Sequence, residues 1–350
     1  MRIFISADPY LPIPPTLYGG TERVIDSLVR GFAARGHSVG LMALAESTTT
    51  PETLFPWPVP GIDKGSHAGH LKNAKALHRA VHTFKPDVLH SFSRLLYMLP
   101  LAVTYRRLPK VMTYERQPTP NTARKNLLIH GHSLRFTGCS EDLCTKGRPG
   151  GGVWKPVHNC VDIDHYRFGA EVTEDAPLVF LSRVERIKGV HTAIAAARRT
   201  GRRLLIAGNH DEEGIHGDYW REEIVPHLDK DGIEYIGPVN DEQKNKLLGE
   251  AAAMVVPIEW DEPFGIVFAE ALACGTPIIS SPRGSLPEIV RQGVDGFLVN
   301  NLDEACDAIR KLHTIDRAQC RARAESCFSE DFILDGYMNI YLEAIAGSMA

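Results

Sequence analysis

Short apolar runs alternate with amphipathic segments from one end of the chain to the other. That alternation is the pattern of α/β folds with parallel sheets. In the first half, runs near 2–7, 38–44, 87–92, 110–115 and 134–139 read as buried strands. Between the first two, Val24, Ile25, Leu28, Val29 and Phe32 share one face of a helix over about 21–35, and Gly36 follows as a C-cap. The second half repeats the scheme. Strands near 177–182, 202–207, 233–236, 253–257 and 277–281 alternate with helices near 188–199, 217–228, 240–251, 265–274 and 285–291. A final helix over about 330–347 follows no strand and is free to pack on either half. The glycine-rich stretch 147–152 reads as a surface loop, and 169–177 is polar and ends just before a fresh strand. The domain boundary is therefore expected near 165–172, giving domains 1–168 and 169–329.

Composition narrows the class. At 350 residues, with 43% hydrophobic and 23% charged, the chain suits two globular domains. A net charge of -4 argues against a general nucleic-acid binder. The seven cysteines form no C-x-x-C pair, which points to reduced thiols, a cytoplasmic setting and no metal cluster. The apolar start, Met1 to Ala7, is too short for a signal peptide and reads as the first strand. No window has the roughly 18 consecutive apolar residues of a membrane span. The N-terminal half has no long Lys/Arg run, so strong electrostatic attachment to a membrane is not expected.

The richest chemistry lies in Glu262-Pro263-Phe264-Gly265-Ile266-Val267-Phe268-Ala269-Glu270. Pro263 suits a helix start. Gly265, Ile266 and Val267 would then present free N–H groups at a positive helix end, an anion site. Glu270 sits in an almost wholly apolar helix and needs a partner there, which a ligand hydroxyl would supply. The bland alternative is a helix-start charge plus a solvated glutamate. Arg183 and Lys188 bracket the first strand-to-helix junction of the second half, where two cations could neutralise a diphosphate without a metal. A solvated basic loop is an equal reading of those two alone. Gly19-Gly20-Thr21 opens the first helix and permits close ligand approach, though a plain turn explains a double glycine better. The missing G-x-G-x-x-G counts against a nicotinamide site. His90 and Ser91, and then Glu115 and Arg116, fall at strand ends on the expected cleft side. A lone histidine there is more often structural, and Glu115 with Arg116 could simply be an ion-paired loop. Asn159 and Asp162 read as local turn formers.

Taken together these residues resemble the family-4 retaining glycosyltransferases of the GT-B fold, over nearly the whole chain and most strongly from about 178 to 300. Glu262 and Glu270 match the paired-glutamate motif, and Arg183 and Lys188 the R-x4-K pair. Tyr18-Gly19-Gly20-Thr21-Glu22 looks like the acceptor-domain glycine loop. Asn159-Cys160-Val161-Asp162 resembles the hinge signature N-G-V-D, with Cys160 in place of glycine. The resemblance implies two Rossmann-like domains facing across a cleft, with the last helix, 330–350, crossing back to the N-terminal domain. It implies a nucleoside-diphosphate sugar (UDP-, GDP- or another) as donor substrate, no permanently bound cofactor, no metal, and an acceptor hydroxyl on a glycan, lipid or small metabolite. Arg183 and Lys188 would hold the diphosphate and Glu270 the ribose. Glu262 would contact the sugar beside the backbone N–H groups of Phe264, Gly265, Ile266 and Val267. Gly19 and Gly20 would approach the phosphates. Glu115 stands where the family often has histidine, near the transferred sugar. Family members often work at the cytoplasmic membrane face, which implies peripheral contact at most. Three alternatives share the architecture or the ligand: a sugar-nucleotide epimerase, a phosphorylase with a lysine-bound pyridoxal phosphate, and a non-catalytic sugar-nucleotide-binding protein.

Overall fold

A computed structural model describes residues 1–16, 19–61 and 66–349. The chain divides into two compact units, residues 1–160 with 330–350, and residues 161–329.

The first unit is built on seven strands: β1 (Arg2–Ser6), β2 (Ser38–Ala43), β3 (Thr53–Pro56), β4 (Val88–Ser91), β5 (Lys110–Tyr114), β6 (Leu134–Gly138) and β7 (Trp154–Pro156). They form one parallel sheet in the order β3-β2-β1-β4-β5-β6-β7. Helices α1 (Gly20–Ala34), α2 (His67–Phe84), α3 (Leu95–Thr104), α4 (Pro120–His130) and α5 (Glu141–Gly147) connect them. Strands buried on both faces carry continuous apolar runs, such as Ile3-Phe4-Ile5, each fully buried. One core cluster packs Leu77, Val81 and Phe84 of α2, Leu95, Met98 and Leu101 of α3 and Ala123 of α4 onto Phe4, Leu89 and Phe136 of the sheet. Those three helices therefore share one face of the sheet.

The second unit holds β8 (Leu178–Leu181), β9 (Leu204–Ala207), β10 (Ile233–Gly237), β11 (Ala253–Val256), β12 (Ile278–Ser280) and β13 (Gly296–Leu298), parallel in the order β10-β9-β8-β11-β12-β13. Its helices are α6 (Val190–Thr200), α7 (Gly214–Tyr219), α8 (Asp241–Glu250), α9 (Ile266–Ala273), α10 (Leu286–Ile289), α11 (Leu302–Arg310) and α12 (Arg317–Phe328). The last helix, α13 (Glu330–Met349), groups with the first unit. It lies against α1 where Gly31 has no side chain; a Cβ there would sit 2.4 Å from Leu334. Arg35 pairs with Asp331 at 2.8 Å and Asp335 at 2.6 Å along the same contact.

Several elements differ from the sequence reading. The helix expected over 217–228 is α7 followed by a π turn at Trp220–Ile224 and a 3-10 turn at Val225–His227. The stretch 147–152 is not a plain surface loop. Gly147 and Gly150 are buried, because a Cβ would sit 2.3 Å from the Trp154 ring at the first and 2.5 Å from the Pro120 carbonyl oxygen at the second. The unit boundary falls at 160/161, ahead of 168/169. Residues 161–168 bond into the second unit: Val161 N–H to Phe328 O at 2.8 Å, and Arg167 N–H to Asn245 Oδ1 at 3.1 Å.

Candidate active site

Strand order reverses once in each sheet, between β1 and β4 and between β8 and β11. Loops leaving two such strands diverge to opposite faces, and the crevice between them is where open α/β sheets bind ligands. Gly19 and Gly20 follow β1. Arg183 and Lys188 follow β8, and Glu262 to Val267 follow β11.

The second crevice is closed tightly around Lys188. A 3-10 turn, Arg186–Lys188, ends at Gly189 with φ 78°. A Cβ there would lie 2.1 Å from Pro257 O, so only glycine lets the turn sit against the end of β11. Glu259 N–H donates to Ile187 O at 2.8 Å across the same gap. Lys188 Nζ then lies 2.5 Å from Glu262 Oε2, and Trp260 Nε1 donates to that oxygen at 2.9 Å. The ammonium stands 4.8 Å from the Trp260 ring centroid. Lys188 and Glu262 side chains are only 9% and 11% exposed, so each charge relies on the other. Both donors fall on Oε2, and Glu262 Oε1 has no partner among the described residues. The Glu262 backbone is held by Ser285 N–H, 2.9 Å from its carbonyl oxygen.

Glu270 repeats the arrangement. Lys244 Nζ and Tyr166 Oη each donate to its Oε1 at 2.6 Å, and Lys244 stands 5.5 Å from the Tyr166 ring centroid. Its Oε2 has no partner among the described residues. Burial first, and then the Glu270 charge, push the Tyr166 phenol up; the same two causes lift the Cys274 thiol to about 12. The partner that Glu270 needed is thus supplied by the protein on one oxygen, where the sequence suggested a ligand alone. Tyr166 and Lys244 escaped the sequence reading. Tyr166 lies 104 positions away, in the range 165–172 where the sequence suggests a domain boundary, and Lys244 lies on a polar helix with little periodicity.

Helix α9 starts at Ile266 rather than at Pro263. Gly265 adopts φ 78° and turns the chain, which leaves Pro263 outside the helix. The first amide to find a carbonyl is Phe268 N–H, on Gly265 O at 3.0 Å. Those of Ile266 and Val267 have no acceptor among the described residues and point out of the helix start. The Phe264 ring is buried against Phe328, with centroids 5.6 Å apart, so Phe264 could meet a ligand through its backbone only. Arg183 is half-exposed and pairs with Glu185.

In the first unit, Gly19 caps α1 with φ 152°, and a Cβ would meet Glu22 Oε2 and Pro15 at 2.8 Å. Tyr18 lies outside the described residues. His90 is not at an open edge. It is fully buried, with Nδ1 2.6 Å from Tyr341 Oη and Nε2 2.6 Å from Thr113 Oγ1, and burial pushes its pKa down to about 3. Glu115 as a residue is half-buried, but its Oε1 is sealed with no hydrogen-bond partner among the described residues, while Oε2 accepts from Asn159 Nδ2 at 2.8 Å. Burial raises the Glu115 pKa against the lowering by Asn159 and Cys139. Arg116 forms no ion pair with it among the described residues; Asn159, expected in a local turn, holds it instead. Beside β1, Asp8 is lifted to about 6 by burial, against the pull of Arg94 and Arg116.

Family models match both units of the chain. Residues 18–140 match the family described as Glycosyltransferase Family 4, and residues 162–326 that described as Glycosyl transferases group 1. A protein named glycogen synthase from Mycobacterium tuberculosis is 27% identical over 407 aligned positions, spanning 99% of this chain and 96% of its own. Among solved structures, AviGT4, a glycosyltransferase involved in avilamycin A biosynthesis, superposes with a TM-score of 0.72 at 26% identity, over 99% of this chain and 98% of its own. Anabaena Alr3699/HepE in complex with UDP-glucose superposes with a TM-score of 0.72 at 18% identity, over 98% and 100%, a likeness of fold alone.

Proposed function

This chain belongs to the group 1 glycosyltransferases of family 4, with the GT-B fold, and from that premise we propose a retaining enzyme that uses a nucleoside-diphosphate sugar without a metal in the transfer step. One observation carries the reading. Glu262 and Glu270 each have one oxygen clamped by a lysine and an aromatic donor, and each keeps the other oxygen unengaged. A carboxylate so fixed accepts hydroxyl hydrogens without reorganising. Glu262 Oε1 takes a hydroxyl of the transferred sugar, and Glu270 Oε2 the ribose hydroxyls. Lys188 and Arg183 stabilise the departing diphosphate, aided by the open amides of Ile266 and Val267. The anomeric carbon–oxygen bond to the diphosphate breaks while the acceptor oxygen bonds from the same face. The acceptor's proton passes to the leaving phosphate oxygen. Catalysis is then positioning and electrostatic stabilisation. Gly19 and Gly20 allow close approach in the first unit, where the sealed Glu115 Oε1 is one of several buried polar atoms without a hydrogen-bond partner among the described residues.

The test starts with calorimetric titration of nucleoside diphosphates, followed by NMR of the product of the tightest donor. Because Alr3699/HepE was solved with UDP-glucose, UDP-glucose is the first donor to try. Binding of one nucleoside diphosphate, and a product with the donor's anomeric configuration, are expected. An inverted product removes the retaining assignment. Conversion of the donor in the absence of any acceptor favours an epimerase.

A further inference from the structure

A cavity of 460 Å³ lies beside α6 and α11 in the second unit, at the carboxyl ends of β11, β12 and β13. It is set to one side of the crevice described above, which lies where strand order reverses between β8 and β11. Its volume falls within the roughly 300–1,000 Å³ of small-molecule sites. Its apolar walls come from the strand ends: Pro257 and Ile258 after β11, Pro282 after β12 and Val299 after β13. Ile258 and Val299 are buried. Two of the bounding loops are those that hold Lys188 and Glu262 in place. The loop after β11 braces the Lys188 turn, with Glu259 N–H on Ile187 O at 2.8 Å. The loop after β12 braces Glu262, with Ser285 N–H on its carbonyl oxygen at 2.9 Å. Gly284, φ 57°, lets that loop press close; a Cβ there would sit 2.3 Å from Glu262 O.

The polar lining is largely unengaged. Among the described residues Thr192 Oγ1, Ser281 Oγ and the Arg283 guanidinium have no hydrogen-bond partner. Asn300 donates its backbone N–H and its Nδ2 to Glu304 Oε2, at 2.8 and 3.0 Å, and keeps Oδ1 as an open acceptor. Glu259 meets His191 Nε2 through Oε1 at 3.0 Å. Arg283 and Glu259 are the charged side chains of the lining, one of each sign. These groups select a class of ligand. An apolar molecule would leave several polar groups unpaired, at a cost for each. A phosphate or carboxylate would meet Glu259 as well as Arg283, with no surplus of positive charge to reward it. A neutral sugar suits both halves of the cavity. Its hydroxyl hydrogens go to Asn300 Oδ1 and to Glu259, Arg283 donates to a sugar oxygen, and the C–H face of the ring lies on Ile258 and Val299. We propose that this cavity is a saccharide subsite for a neutral hexose unit, free or within a glycan chain. Its occupant would rest on both loops that hold Lys188 and Glu262. The inference goes beyond the sugar-nucleotide crevice and does not depend on how that crevice transfers sugar.

Methyl NMR of the full chain tests it, because the Ile258 and Val299 methyl groups line the cavity and report on it alone. Titration with glucose, galactose and mannose should shift both signals saturably for at least one of the three. Arg283→Gln with Asn300→Ala should weaken that binding by about ten-fold or more, the worth of two hydrogen bonds. Thr192→Trp, which fills the cavity, should abolish it. Nucleoside-diphosphate affinity and melting temperature, measured on the same samples, should match wild type for Arg283→Gln/Asn300→Ala, so the fate of this subsite is read separately from that of the crevice. Maltotriose binding more tightly than glucose assigns the subsite to a glycan chain, and equal affinity assigns it to a free sugar. Methyl signals that respond to none of the hexoses overturn the proposal. So does a response unchanged in Arg283→Gln/Asn300→Ala. Glucose 6-phosphate binding about ten-fold more tightly than glucose also overturns it, in favour of an anion site.

Discussion

Replacing Lys188 by Met separates its ion pair with Glu262 from the leaving-group role proposed for the same side chain. The swap keeps volume and removes the charge. First, it leaves the Glu262 carboxylate, 11% exposed, with Trp260 as its remaining donor. Breaking a buried pair by removing one partner costs about 3–5 kcal/mol. For a unit of this size that is a fall of roughly 6–20 °C in melting temperature. Second, on the proposed role, it removes the positive charge facing the leaving diphosphate, which should cost ~10²–10³ in turnover by comparison with other preorganised donors. The double variant Lys188→Met/Glu262→Gln tells the two apart. With both charges gone, no buried ion is stranded, and the melting temperature should recover by more than half. Turnover should stay at the level of Lys188→Met or fall further. Thermal melts of the four proteins form a double-mutant cycle, and initial rates with saturating donor give turnover. If the two substitutions lowered the melting temperature additively, the pair would not be coupled as its geometry requires. If turnover returned in the double variant, Lys188 would act only by restraining Glu262, and the leaving-group role would be refuted.

Three further outcomes follow from the same geometry. Tyr166→Phe removes one of two donors from Glu270 Oε1 and should weaken nucleoside-diphosphate binding by about ten- to a hundred-fold in calorimetry, the worth of a hydrogen bond to a charged group; unchanged affinity would detach Glu270 from the nucleotide. Gly189→Ala forces a side chain into φ 78° and to within 2.1 Å of Pro257 O, so it should cost at least ~2 kcal/mol and reduce turnover as Lys188 shifts; a melting temperature equal to wild type would contradict the close packing. His90 titrates at about 3 in the folded chain and near 6.5 when unfolded, so its contribution is complete above pH ~6.5 and is lost as pH falls towards 3. Between pH 7 and 5 this amounts to roughly 2 kcal/mol, and His130, lowered to about 4 by burial and by Lys110, adds a second loss. Urea melts should show a shallower acid slope for His90→Gln than for wild type, and an equal slope would contradict its burial in the neutral form.

Much of the fold was legible because buried parallel strands must be apolar throughout. Ala253 to Val256 and Leu178 to Leu181 announce themselves in that way. Strands β3 and β7 did not. They are edge strands of four and three residues, containing or ending on proline, with no apolar run to mark them. Helices α2 to α5 were not legible, although they supply about half of the core cluster on their face of the first sheet. Their apolar faces are interrupted by His70, Asn73 and Pro100. The site divides in the same manner. Glu262, Glu270, Arg183 and Lys188 were visible because carboxylates and cations at strand-to-helix junctions have a definite chemistry.

By itself, the sequence determined the alternation of strand and helix, the two-unit plan and the residues that carry charge at the second crevice. These depend on local pattern and on residue type. Only the tertiary structure decided how those charges are used. It joined Lys188 to Glu262 across 74 positions and Tyr166 to Glu270 across 104. It sealed His90 inside the first unit and started α9 at Ile266. A buried charge must find a partner wherever the chain happens to pass, and the cost of leaving it alone is several kcal/mol. Which segment passes there is set by strand order, and strand order is written in no single stretch of the chain.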